Sequence, residues 1–155
     1  MNTSSAQAVR SINFAAQPQT REVNAVALGT ALLRTALGLM FLAHGLLKVL
    51  VFTLPGTAAF FESVGFPGFF AYIVAPAEIL GGVALIAGFQ TRLVAAATLP
   101  LLLGVVTVHS GNGWVFSAPN GGWEFPVYLV VLAVAQVLLG GGAYSFDNWR
   151  RNQAG

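Results

Sequence analysis

RTALGLMFLAHGLLKVLVF, residues Arg34 to Phe52, reads as an apolar helix interrupted by three basic side chains, Arg34, His44 and Lys48. The run is long enough to cross a bilayer, which takes about 20 residues. Around it the chain is 56% hydrophobic and only 8% charged, with a mean hydropathy of +0.75. Soluble domains carry about a quarter charged residues, so this composition belongs in lipid. Three further apolar segments follow, at about 69–89, 92–109 and 124–142, and the first extends over 26–52. Backbone amides in hydrocarbon must be paired within their own element. The lengths exceed those of barrel strands and the alternation is weak. The expected fold is an all-α membrane protein, a four-transmembrane-helix bundle over residues 25–147, followed by a short tail at 148–155.

Residues 1–24 are rich in Ser, Gln, Asn and Ala and are expected to form a flexible tail. The apolar run behind them is too long for a signal-peptide core, so the first helix is expected to remain attached. Arg10, Arg21, Arg92, Arg150 and Arg151 fall on one side of the bundle, and the loops on the other side contain no Lys or Arg. The positive-inside rule then puts both termini in the cytoplasm. Zero cysteines remove disulfides, thiolate metal sites and thiol redox chemistry. Phosphate-binding glycine loops, nucleotide fingerprints and basic nucleic-acid patches are missing too, so the first expected partner is the lipid bilayer itself.

The polar residues inside the spans carry the functional reading. At 100° per residue, Arg34, His44 and Lys48 fall within about 80° of one another. On the second span Glu78 lies near the midplane, followed at helical spacing by Gly81 and Gly82, small residues that allow close helix approach. His109 and Glu124 sit at the outer ends of spans three and four, with Tyr128 one turn on. A charge at mid-span costs about 2.5–3.5 kcal/mol on insertion scales. Arg34, His44, Lys48, Glu78, His109 and Glu124 are therefore expected to converge on one funnel opening outward, as ligand-binding or proton-relay residues, with Gly81, Gly82 and Tyr128 in support. Structural readings stand beside this one. Lys48 can snorkel along its own stem, Arg34 and Glu78 can form an ion pair, His44 can hydrogen-bond a neighbouring helix, and His109 and Glu124 can be interfacial loop residues. Two histidines on different helices without close spacing disfavour haem, and no metal site is expected.

The order LLRTALGLMFLAHGLLK (32–48), GFPG (65–68), PAEILGGVALIAGFQTR (76–92), GGWEFPVYL (121–129) and GGGAYSFD (140–147) resembles the DoxX family of small bacterial inner-membrane proteins. The resemblance spans Leu32 to Asp147, and the polar segment before Val23 has no counterpart in it. It implies quinone or quinol chemistry, through subunits of membrane oxidoreductases such as thiosulfate:quinone oxidoreductase or through responses to quinone and oxidative stress. Under that reading Lys48 and Arg34 would donate to a quinone carbonyl, His44 would relay a proton, since imidazole changes charge near neutral pH, and Glu78 would exchange the second. Electrons would come from a soluble or membrane redox partner. A non-catalytic membrane anchor, in which small-residue faces serve assembly or homo-oligomers, is the second expectation. A small-solute or proton transporter is the third, weakened by the lack of an inverted repeat.

Overall fold

The computed structural model describes residues 19–153, with side chains from Ala25 onward. Three helices are long and apolar enough to cross a membrane, over Ala25–Leu50, Gly68–Ala87 and Thr91–Asn112, and a shorter apolar helix covers Glu124–Leu139. Among the described residues there is no strand. In chain order the helices are α1 (Gln19–Leu50), α2 (Leu54–Ser63), α3 (Ala71–Ala87), α4 (Thr91–His109), α5 (Glu124–Leu139) and α6 (Phe146–Gln153), with 3₁₀ turns at Gly68–Phe70 and Ser110–Asn112. The expected tail at 1–24 lies outside the described residues up to position 18, and from Gln19 the backbone is already helical.

Two elements depart from the expected loops and tails. The segment after the first span was expected to be an irregular loop, but Leu54–Ser63 is a helix. Its start is fixed locally: the Thr53 hydroxyl accepts a hydrogen bond from the Gly56 amide, and a proline stands in the first turn, where its missing N–H costs nothing. The chain end is likewise helical, as α6. Pro76 and Pro100 both lie inside helices that run on through them.

Each end of the bundle has its own loops. The loop end carries α2 and the Gly113–Trp123 loop, and the turn end carries the α3–α4 connection and α6. At the turn end α3 stops in a Schellman arrangement: Gly88 turns left-handed at φ 70°, its amide donates to the Leu85 carbonyl, and the Phe89 amide donates to Ala84.

Packing is tightest within two helix pairs, α1 with α3 and α4 with α5. Lipid tails are as apolar as leucine side chains, so helices in a bilayer associate through close van der Waals fit and small residues. The α1–α3 seam shows this. A Cβ placed on Gly82 would lie 2.6 Å from the Leu42 amide nitrogen and 2.7 Å from the Gly38 carbonyl, and one on Gly45 would lie 2.9 Å from the Ala75 carbonyl. The obstructing atoms are backbone, so no rotamer change relieves them. Gly81, one residue away, faces α4 instead, with Val94 and Thr98 beside it. Between the pairs, Leu37, Phe41, Leu85, Ala95, Leu102 and Ala133 form the buried core.

Gly82→Ala is expected to force α1 and α3 apart and to lower stability by about 1–3 kcal/mol. Gly104→Ala, in a helix with nothing within 4 Å of the added carbon, is expected to be neutral or to gain up to about 1 kcal/mol. Melting in mild detergent measures both, and equal effects at the two sites would refute the seam.

Candidate functional site

Close approach of α1 and α3 has a direct chemical consequence. Glu78 precedes Gly82 by one turn on the stripe of α3 that faces α1, and Lys48 sits in the last turn of α1. The Lys48 ammonium donates to both carboxylate oxygens, at 2.7 Å and 2.9 Å. The Glu78 and Lys48 side chains are only 8% and 18% exposed, so the pair is mostly shielded. Removing one partner of such a pair strands a charge, at a cost of about 3–5 kcal/mol. Next to it, the Thr57 hydroxyl of α2 lies within hydrogen-bond distance of the Thr53 carbonyl at 2.9 Å and of the Lys48 carbonyl at 3.2 Å, which seats α2 on the end of α1. His44 lies on the exposed surface one turn before Lys48, its Nδ1 donating to the Met40 carbonyl at 2.9 Å.

Elsewhere at the loop end lies a second polar group, built by the Gly113–Trp123 loop. His109 Nδ1 donates to the Gly121 carbonyl at 2.9 Å, and the Asn112 side-chain amide donates to the Asn120 and Gly121 carbonyls. Trp114 and Trp123 meet edge to face, with ring centroids 4.4 Å apart. The loop then folds onto the start of α5, where a Glu124 carboxylate oxygen accepts from the Phe116 amide at 3.2 Å. Between loop and helix opens a groove of about 420 Å³ walled by Trp114, Phe116, Phe125, Tyr128 and Val131, with Glu124 at its polar rim.

Arg34 belongs to neither group. It lies 14 residues before Lys48, or about 21 Å along a helix, at the turn end, and is 3% exposed. Its Nη2 donates to the Ala143 and Tyr144 carbonyls at 3.3 Å and 3.4 Å. A Cβ on Gly88 would fall on its guanidinium, so only glycine fits opposite it. The expected single funnel is therefore not formed, and the partner of Glu78 is Lys48, not Arg34. Angular phase on a helix wheel groups the three cations within about 80°, although His44 is exposed where Arg34 is buried. It carried no information about the distance separating them along the axis.

One residue that the sequence reading left without a role organises the turn end. Asp147 Oδ1 accepts from the Gln90 amide at 2.8 Å and Oδ2 from the Thr91 amide at 2.9 Å, capping the first turn of α4 from 56 residues away. Its own amide donates to the Gly88 carbonyl at 3.0 Å. The separate pieces GFQT (88–91) and YSFD (144–147) are thus two halves of one latch. Spacing a carboxylate just after a glycine turn was the available signal, but no local pattern says which helix start it caps. Burial alone would raise the Asp147 carboxyl. The Thr91 and Gln90 amides and the Arg151 charge outweigh it and hold the group below the ordinary carboxylate range.

A carboxyl lowered on folding stabilises the folded state above its unfolded pKa, near 4, and that contribution is lost as pH falls through the lower folded value. Asp147→Ala is expected to reduce stability by about 1–2 kcal/mol at pH 7 and to flatten the loss of stability below pH 4. Melting curves from pH 7 to pH 2.5 measure both.

The DoxX family model matches residues 29–110. The chain is also 35% identical over 122 residues to the Bacillus subtilis (strain 168) protein named "Putative oxidoreductase CatD", an overlap of 77% of this chain and 85% of that protein. No solved structure matches it. Apolar helices of spanning length and these two matches agree: the chain belongs to the DoxX family of membrane proteins.

Proposed function

We propose that this protein is a quinone- or quinol-binding subunit of a membrane oxidoreductase system, with the quinone head group seated in the groove between the Gly113–Trp123 loop and α5. The observation that carries this reading is the groove's composition. Aromatic rings of Trp114, Phe116 and Phe125 wall a space of about 420 Å³, with the Tyr128 hydroxyl and the Glu124 carboxyl as its polar groups. A quinone ring is flat and stacks on aromatic faces, its carbonyls need donors, and its isoprenoid tail needs access to lipid. Reduction to quinol takes two electrons and two protons. Tyr128 can donate to a carbonyl, and Glu124 can pass protons at the membrane boundary. A partner redox protein supplies the electrons, consistent with the oxidoreductase named among the relatives.

In this reading the chain crosses the bacterial inner membrane four times with both termini in the cytoplasm. The 16 residues of Glu124–Leu139 span about 24 Å, short of the roughly 30 Å hydrocarbon core, and the Gly140–Ala143 segment completes the crossing. Arg92, Arg150 and Arg151 then lie on the cytoplasmic side. Lys48, the cation nearest the other face, stands alone against these three arginines among the described residues and does not reverse the bias.

A non-catalytic membrane anchor is the second reading. The Lys48–Glu78 pair favours it, because donor and acceptors there are matched to each other as a structural clamp would be.

Full-length protein in lipid nanodiscs, titrated with a short-tailed benzoquinone, tests the first reading. Saturable binding is expected, weakened about three- to ten-fold by Glu124→Gln or Tyr128→Phe with melting unchanged. Absence of saturable binding would leave the anchor. For topology, a cysteine at Asn112 is expected to react with an impermeant thiol reagent on intact cells and one at Gln90 to be protected; the opposite pattern would invert the orientation.

A further inference from the structure

The turn end holds a larger groove that the quinone reading does not use. It has a volume of about 1090 Å³ and runs between the start of α1, the α3–α4 turn and the segment from the end of α5 into α6. Three arginines line it, Arg92, Arg150 and Arg151, while Val26, Leu93 and Leu139 form an apolar wall. We propose that this groove binds an anionic glycerophospholipid, with the phosphate held by the three arginines and an acyl chain against the apolar wall.

Charge and depth carry the proposal. Among the described residues the groove's acidic group is Asp147; both its carboxylate oxygens are engaged by the Gln90 and Thr91 amides, and three guanidinium charges outnumber it. Arg92 is held in place, its Nη2 donating to the Leu138 carbonyl at 3.2 Å, and Arg151 is steadied by the Asn148 side chain. The floor is Gly140 to Gly142, where the absence of side chains leaves room. A Cβ on Gly140 would come within 3.0 Å of Arg92 Nε and crowd the anchored arginine.

Depth follows from α6, a short amphipathic helix. Phe89, Phe146 and Trp149 form a continuous aromatic strip, with neighbouring centroids 5.8 Å and 5.3 Å apart, and Trp149 is 56% exposed. Such a strip rests at the boundary between headgroups and acyl chains. Arg150 and Arg151 on the same helix are then level with lipid phosphates. Leu93 and Leu139, 65% and 48% exposed, face the hydrocarbon just below. A zwitterionic lipid brings its own cation to this arginine cluster and is disfavoured; a net-negative headgroup is not.

Native mass spectrometry of the full chain from a neutral detergent, with phosphatidylglycerol and phosphatidylcholine of identical acyl chains, tests this. Phosphatidylglycerol is expected to bind at least about ten-fold more tightly. Each arginine near the headgroups contributes about five-fold, so Arg150→Gln with Arg151→Gln is expected to weaken phosphatidylglycerol about 25-fold and leave phosphatidylcholine unchanged. Both side chains are exposed, so melting is expected to fall only slightly, through loss of the Arg151 charge near Asp147, and Arg150→Lys with Arg151→Lys should restore melting and most of the binding. Equal affinity for the two lipids, or an undiminished preference in the glutamine variant, would overturn the proposal. Inorganic phosphate that displaces phosphatidylglycerol at millimolar concentration would overturn it in favour of a soluble phosphate ligand.

Discussion

The backbone-to-backbone contact between α1 and α3 is the constraint on which the rest of the structure depends. Where Gly38 and Gly82 meet, a single added carbon on either would collide with main-chain atoms of the other helix. In a bilayer no hydrophobic force drives helices together, so the attraction must come from surfaces that fit this closely. Two polar arrangements ride on that contact. Toward the loop end it brings the Lys48 ammonium into reach of the Glu78 carboxylate. Toward the turn end it lays Arg34 against Gly88 and the Ala143 and Tyr144 carbonyls. The Lys48 charge is matched by Glu78, whereas Arg34 is held through Nη2 alone, its Nε and Nη1 buried without a partner among the described residues.

The two ends of the bundle divide the chemistry. At the loop end Glu124 and Tyr128 border an open, aromatic-walled groove, and Glu124 and His109 hold the loop that forms it. At the turn end the polar groups mostly hold chain segments to one another. Asp147 caps α4, Arg34 holds the last turn before α6, and the Ala143 amide donates to the Ala27 carbonyl of α1. That latch closes the bundle by joining the end of the chain to the beginning of the first span.

Much of the fold was legible from residue type alone. Apolar runs of spanning length marked where the apolar helices lie, because hydrocarbon allows few backbone solutions, although α1 begins at Gln19, before its apolar run. Glu78 and Gly82, spaced one turn apart, announced a shared inward face, and both are buried. The helix at Leu54–Ser63 was not legible as such, because its start depends on a Thr53 backbone at φ 63° and a side-chain cap rather than on apolar periodicity. The candidate site was legible in its parts but not in its grouping. His44, Lys48 and Glu78 are neighbours on or beside one seam, whereas Glu124 and Tyr128 line a different space.

The amino-acid sequence determined that this chain enters a membrane as helices, where along each helix its few charges lie, and which faces are small enough to pack. Those properties follow from local solvation and the 3.6-residue repeat. Tertiary structure alone decided that Glu78 pairs with Lys48, that Arg34 donates to the Ala143 and Tyr144 carbonyls, and that Asp147 caps a helix 56 residues earlier in the chain. Pairings of this kind depend on the distance and angle at which separate helices cross, and no single helix encodes either.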